Sequence, residues 1–294
     1  MFASFYNPES KLADSKGGCY PLLAMAPLLN ESSFTDEHIA YMKEMLSFYG
    51  KTMKDVAYFV ADNCETNQSI SRKLQIPLIG CAAHKLNLAV KLIFVHFRSL
   101  LEKVKSAITE LGNLKNRGFL RSINALAPVT WNDTRWTSLF HALNRYVKLH
   151  PILTEEEGTP DGIKSKLLLP EEFQALVGLL EEFNFLYSAT EYLQGENCHM
   201  AHVRSLFNEI IVRFGFIDGV EDKLAANGDL VVDPVFESAI VKVLRGNQGS
   251  LDRNELKKLK PFEKRGNLSN PRGQKRVNEA EEFHKSMKSR NLFL

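Results

Sequence analysis

Asp55-Val-Ala-Tyr-Phe-Val-Ala61, closed by Asp62-Asn-Cys64, is a short run rich in β-branched and aromatic residues that ends on turn formers, which is the pattern of a strand. Asp62 therefore stands at the carboxyl end of that strand. Downstream, Glu65 to Leu74 reads as a short helix that leads through Pro77 to a second buried strand, Leu78-Ile-Gly-Cys81. From His84 a long helix runs past Leu86, Leu88, Val90, Leu92 and Ile93 to about Leu111. Upstream, Thr35 caps a helix in which Ile39, Met42, Met45, Leu46 and Tyr49 recur at helical spacing until Gly50 stops the pattern. Before it lies the apolar segment Tyr20 to Leu29, expected as a buried strand whose Pro21 and Pro27 argue for an edge or irregular position. Strands alternating with helices predict an α/β sheet with crossover helices.

After Gly112 nearly every patterned segment is helical. Asn116 to Ala127 precedes a turn at Pro128-Val-Thr-Trp-Asn132, and Thr134 to Tyr146 carries Trp136, Leu139, Phe140 and Leu143 on one face. Glu155 to Gly162 is a loop. Pro170 opens a helix whose stripe runs from Phe173 through Leu176, Leu180 and Phe183 to Tyr187. Two further helices are expected, His202 to Phe216 and Pro234 to Leu244, joined by a loop-containing connection over Asp218 to Asp233. The reading is α/β plus α-helical: an α/β domain over 1–111, a helical domain over 112–246, and a basic, flexible tail over 247–294.

The apolar and charged fractions are those of a globular protein, and no run of eighteen apolar residues or signal-peptide pattern occurs, so neither secretion nor a membrane span is expected. Cys19, Cys64, Cys81 and Cys198 are too sparse and irregular for a disulfide framework. A net charge of +2 names no partner, but from Arg253 onward Lys and Arg outnumber Glu, in a pattern open to phosphate contact or to plain solvation. Phosphate-binding, nucleophile-elbow and dinucleotide fingerprints are absent, which removes nucleotide-binding, hydrolase and redox readings and any small-molecule substrate they would imply.

Three constellations remain. Asp62, exposed past a strand, is where a metal-binding carboxylate of polynucleotidyl transfer would sit, and equally where a turn aspartate would sit, with Asn63 and Asn67 as supporting or capping groups. Cys81-Ala-Ala-His84 has the spacing of a zinc half-site, or is a buried cysteine beside a helix-start histidine; Cys198-His199 and His202 make no convincing second pair. Trp131 and the run Asn132-Asp-Thr-Arg-Trp136 bring two aromatics and an arginine together, suited to stacking on an extruded base or to a helix core.

Taken in order, Val60-Ala-Asp-Asn-Cys-Glu-Thr-Asn67, Gly80-Cys-Ala-Ala-His-Lys-Leu-Asn-Leu-Ala89 and Thr134-Arg-Trp-Thr-Ser138 resemble three signatures of hAT-superfamily DNA transposases. The resemblance implies an incomplete RNase H-like domain interrupted by a helical insertion domain. It makes Asp62 the second of three catalytic acids and a ligand of Mg2+ or Mn2+. Asn63, Cys81 and His84 fall on motifs near the active site, and Arg135 and Trp136 on the motif linked to the flipped base or hairpin. The family's first aspartate, its final glutamate and its N-terminal zinc finger have no counterpart in this sequence. One carboxylate does not assemble a two-metal site, so no productive metal is expected. The expectation is a transposase fragment, nuclear or cytoplasmic, that binds DNA weakly without cutting it and self-associates through an open strand edge; the alternative is a host-recruited DNA- or protein-interaction module.

Overall fold

The computed structural model describes residues 5–6, 18–19, 35–131, 136–195 and 198–262. The expected strand over Tyr20 to Leu29, Arg135, and the tail beyond Phe262 lie outside the described residues. The protein is mostly helical, with one parallel strand pair and one short antiparallel pair among the described residues. It divides into two compact units, one built on the chain up to Cys81 together with Lys260–Glu263, the other on Ala82–Leu259.

In the first unit, β1 (Phe5–Tyr6) pairs antiparallel with β2 (Gly18–Cys19). Helix α1 (Thr35–Phe48) follows and ends where Gly50 takes a left-handed φ of +65°, a conformation that costs glycine nothing. Strand β3 (Phe59–Ala61) is shorter than its apolar run because Asp55 is used elsewhere. Its carboxylate accepts from the Thr52 N–H at 2.8 Å and closes a 3-10 turn over Met53–Asp55. Helix α2 (Glu65–Leu74) then crosses to β4 (Leu78–Gly80), and the two strands pair parallel with Ala61 opposite Gly80. Helix α2 packs on α1 and β4, and Ile39, Ile70, Ile76, Leu78 and Ile79 of this unit are buried.

The second unit opens with α3 (Ala82–His96) and α4 (Arg98–Leu111). The single long helix expected from His84 is thus broken at Phe97, although no Pro or Gly stands there. Both halves point their stripes into the same core, Leu86, Val90 and Ile93 from α3 and Leu101, Val104 and Ile108 from α4, so the apolar period continues across the bend. Next come α5 (Leu114–Ser122), α6 (Trp136–Glu155) and the short α7 (Asp161–Lys164). Helix α6 continues well past Tyr146, through Pro151, because Leu149, His150 and Leu153 are buried on its inner face. Then follow α8 (Pro170–Leu193), α9 (Met200–Phe214), the short α10 (Val220–Leu224), α11 (Pro234–Leu244) and α12 (Arg253–Leu259). The main core joins α3, α4, α6, α8, α9 and α10, and a satellite cluster of Leu111, Leu120, Leu149, Leu153 and Ile163 ties α5 and α7 to α6. Helices α3 and α4, read from sequence with the first domain, share the core of the second unit. No helix among the described residues is long and apolar enough to cross a membrane.

Candidate functional site

The parallel ladder runs one residue beyond each end of β4: the Phe59 N–H donates to Pro77 O at 2.8 Å and the Cys81 N–H to Ala61 O at 2.7 Å. Those bonds set the backbone of Asp62 beside Cys81 at the carboxyl end of the pair. Asp62 is exposed, and its side chain is already oriented. Its Oδ1 accepts from the Cys64 N–H at 3.3 Å, an Asx turn into α2, and from Nδ2 of Asn67 at 2.8 Å, while the same amide reaches Asp62 O at 3.2 Å. One turn further, Gln68 Nε2 donates to Asn63 O at 2.9 Å. The sequence left Asn67 between supporting and capping roles; in the structure it holds the Asp62 carboxylate in place. A carboxylate fixed in this way can accept a hydrogen bond or join a cation's ligand set. Among the described residues no group of three or more His, Cys, Asp or Glu is arranged to hold a metal ion.

Cys81 is half-buried and free, and His84 is half-buried in the first turn of α3. At the other Cys/His cluster, burial pushes the Cys198 thiol up to about 11, which favours the protonated thiol over the thiolate a metal needs. His199 caps α9, its Nδ1 accepting from the His202 N–H at 3.4 Å, and the two imidazoles stack with centroids 3.6 Å apart. That stacking turns the rings face to face and not toward a shared ligand.

Trp136 is 7 % exposed. Its indole lies among Phe94 at 6.1 Å, Phe140 at 6.4 Å and Tyr187 at 6.4 Å, and Tyr187 stacks on Phe140 at 4.7 Å. In this state the indole is a core group, closed to a base. Its sequence neighbour Trp131 is half-buried on the same core with the Lys105 ammonium 5.5 Å from its ring centre.

No family model matches the chain, and no curated protein or solved structure matches it. The functional reading therefore stands on these residues and on the motif resemblance.

Two charged centres escaped the sequence reading. Lys85, 4 % exposed in α3, pairs with Glu237 of α11 at 3.3 Å, and the Arg204 guanidinium of α9 lies in the same field, bonded to Leu224 O and to Asn208 Oδ1. Burial raises the Glu237 carboxyl above its usual range, outweighing Lys85 and Arg204, which lower it, and is reinforced by Asp233. Burial likewise lowers Arg204. Nothing in the local sequence marks this pair, because its partners are 152 residues apart.

The second centre is Glu255, in the stretch read as tail. Helix α12 docks on α11, and Glu255 is buried there, accepting from Lys242 Nζ at 2.7 Å, Ser238 Oγ at 2.8 Å and the Asp252 N–H at 2.9 Å. Lys242 first, then the Asp252 backbone, hold its carboxyl down to about 2. A signal was present: Asp252-Arg-Asn-Glu255 is a reciprocal capping box, with Asp252 Oδ1 accepting from the Glu255 N–H at 2.9 Å.

Proposed function

We propose that this chain is a DNA-binding remnant derived from a hAT-type transposase, with an RNase H-like first unit and a helical insertion, and without strand-cutting activity. The observation that supports this reading most directly is the end of the β3–β4 pair. There an oriented Asp62, held by Asn67 in the Asp-Asn-x-x-x-Asn block, stands beside the Cys81 that opens the Cys-x-x-His block. Carboxyl ends of parallel strands are where this class of chemistry places its acids. In the intact family Asp62 would share Mg2+ or Mn2+ with two further acids; a single carboxylate holds such an ion weakly and activates no water. Arg135 remains the candidate phosphate contact. Self-association through β3, which pairs only with β4 among the described residues, belongs to the same proposal.

The test is DNA binding and nicking by the full chain with Mn2+, wild type beside Asp62→Ala, at low and moderate salt. Expected is weak, salt-sensitive binding, no nicking, and no effect of Asp62→Ala. Nicking abolished by Asp62→Ala would overturn the loss of activity, and absence of binding at low salt would overturn the DNA reading.

A further inference from the structure

Charge is unevenly placed along the second unit. Between Leu111 and Thr154 the chain has six Lys or Arg (Lys115, Arg117, Arg121, Arg135, Arg145 and Lys148) and one acid, Asp133, a surplus of five against +2 for the whole chain. The acids that offset it begin directly after Thr154, at Glu155, Glu156 and Glu157.

Five of those cations lie on described residues, three on α5 and two on α6. Helix α5 has no acidic residue, and its Lys115, Arg117 and Arg121 are all exposed. Arg117 and Arg121, four residues apart, are neighbours on the helix surface. The inner side of α5, through Leu120 with Phe119 beside it, packs in the same satellite cluster as Leu149 and Leu153 of α6. The connection after α5 then crosses α6, where the Arg145 guanidinium donates to Ala127 O. Lys148 is exposed on the outward side of α6, and Arg145 is half-buried at the flank of its buried stripe of Leu143, Tyr146 and Leu149. Lys148 thus follows Arg145 toward the cluster that seats α5.

No ion pair among the described residues engages these cations, although the acids Glu155, Glu156 and Glu157 follow α6 and a Cβ at Gly158 would lie 3.9 Å from Phe119 of α5. Glu110, the nearest acid before α5, has Oε2 on Asn113 at 3.2 Å and Oε1 on Asn116 at 2.8 Å. None of Lys115, Arg117, Arg121, Arg145 and Lys148 forms an ion pair with a described residue, whereas Lys73, Lys85, Arg98, Lys103, Arg213, Lys223, Lys242 and Lys258 all do. An array outside any ion pair among the described residues, with exposed Lys115, Arg117, Arg121 and Lys148 beside a half-buried Arg145, fits a repeating phosphate chain, which guanidinium groups grip in bidentate fashion.

We propose that α5 and the outward side of α6 form a surface that binds the phosphate backbone of duplex DNA. It shares the class of partner with the function proposed above, and in that respect rests on it, but it uses different residues from Asp62, Arg135 and Trp136. Contacts of this kind position a duplex without reading its sequence.

The experiment is fluorescence anisotropy of a labelled 20-base-pair duplex with the full chain over a salt series, comparing wild type with K115Q/R117Q/R121Q. A second triple variant, K43Q/K51Q/K54Q, removes equal charge from exposed lysines of the first unit. Circular dichroism establishes that each variant is folded. Each lost phosphate contact lowers the slope of log K against log salt by about 0.9, so the α5 variant should lose roughly 2–3 in slope and bind about 10-fold to 500-fold more weakly near 0.1 M salt. The control triple should change binding by less than about threefold. Equal effects of the two triples, or none, would overturn this surface while leaving DNA binding, and so the function proposed above, standing. Absence of duplex binding by the wild type would overturn both. Capture of a polyglutamate peptide in place of DNA, abolished by the α5 triple, would assign the surface to an acidic protein and overturn the nucleic-acid partner.

Discussion

Replacing Trp136 separates a core indole from a base-stacking one. At 7 % exposure the side chain removes on the order of 200 Å2 from water, worth about 5 kcal/mol at 25 cal/mol per Å2. An alanine methyl recovers little of that, and the hole left between Phe94, Phe140 and Tyr187 is lined by rings that cannot all collapse inward. Trp136→Ala should therefore cost about 3–5 kcal/mol, and Trp136→Phe, which keeps a ring against Phe94, about 1–2 kcal/mol. Urea unfolding followed by circular dichroism reads the difference directly; for a domain of this size 4 kcal/mol corresponds to a fall in Tm of about 10 °C. Duplex affinity measured on the folded Phe variant should change less than about twofold, because a ring buried at this depth has no face to offer a base. A Trp136→Phe protein of unchanged stability that had lost tenfold or more in DNA binding would refute the packing argument and restore the stacking role.

Tyr146 is fully buried and its hydroxyl accepts from the Leu168 N–H at 3.0 Å, so Tyr146→Phe should cost about 1–3 kcal/mol in the same assay by orphaning that donor. Gly219 has φ +78°, and a Cβ there would lie 3.1 Å from Leu92 Cδ1; Gly219→Ala should cost about 1–2 kcal/mol and lower Tm. Glu255 is held at about 2 against an ordinary 4.5, so its contribution is present above pH 4.5 and lost as pH falls from there to 2. Glu255→Gln should be less stable than wild type at neutral pH, with the gap closing across that acid window. Glu237 has the opposite sign. Its raised pKa means that its contribution is full below 4.5 and lost as pH rises through the folded value; Glu237→Gln should flatten that part of the stability profile, and by leaving Lys85 buried without its counter-charge it should lower stability at neutral pH.

The elements that were legible in the sequence are those whose ends are marked by local chemistry. Helix α2 was read to the residue because the turn formers before Glu65 and the Pro after it bound a short stretch. Helices α8 and α11 start at Pro170 and Pro234, which lose no hydrogen bond in a first turn, and Asp233 adds a side-chain cap to the Phe236 N–H at 3.0 Å. The break at Phe97 was not legible because it is a tertiary event: the bend lets α3 and α4 face one core, and Phe97 itself packs 6.5 Å from Phe183. The end of α6, expected near Tyr146, was not legible either, and the helix runs on through Pro151. Its ring usually ends a helix, yet the burial of Leu149 and Leu153 on either side keeps α6 going.

The same distinction governs the candidate site. Asp62, Cys64 and Asn67 are within five residues of one another, so a sequence block and a hydrogen-bonded turn are nearly the same object, and reading one anticipates much of the other. Trp136 is the counterexample. Its motif is local, but whether its indole faces solvent or core is decided by Phe94 and Tyr187, which arrive from other helices. Lys85 shows the point most sharply, since it stands inside the quoted Cys-x-x-His block as an unremarkable lysine and becomes a buried cation only when α11 brings Glu237. The basic side of α5 and α6 lies between these cases. Its charges were always visible, but their meaning depends on which of the chain's acids are already committed, as Glu110 is to Asn113 and Asn116, and that is a property of the folded molecule. A charge count thus locates a binding surface only after the internal pairs have been subtracted, and in this protein the subtraction moves attention from the acidic end of β3 to the unpaired arginines of the helical unit.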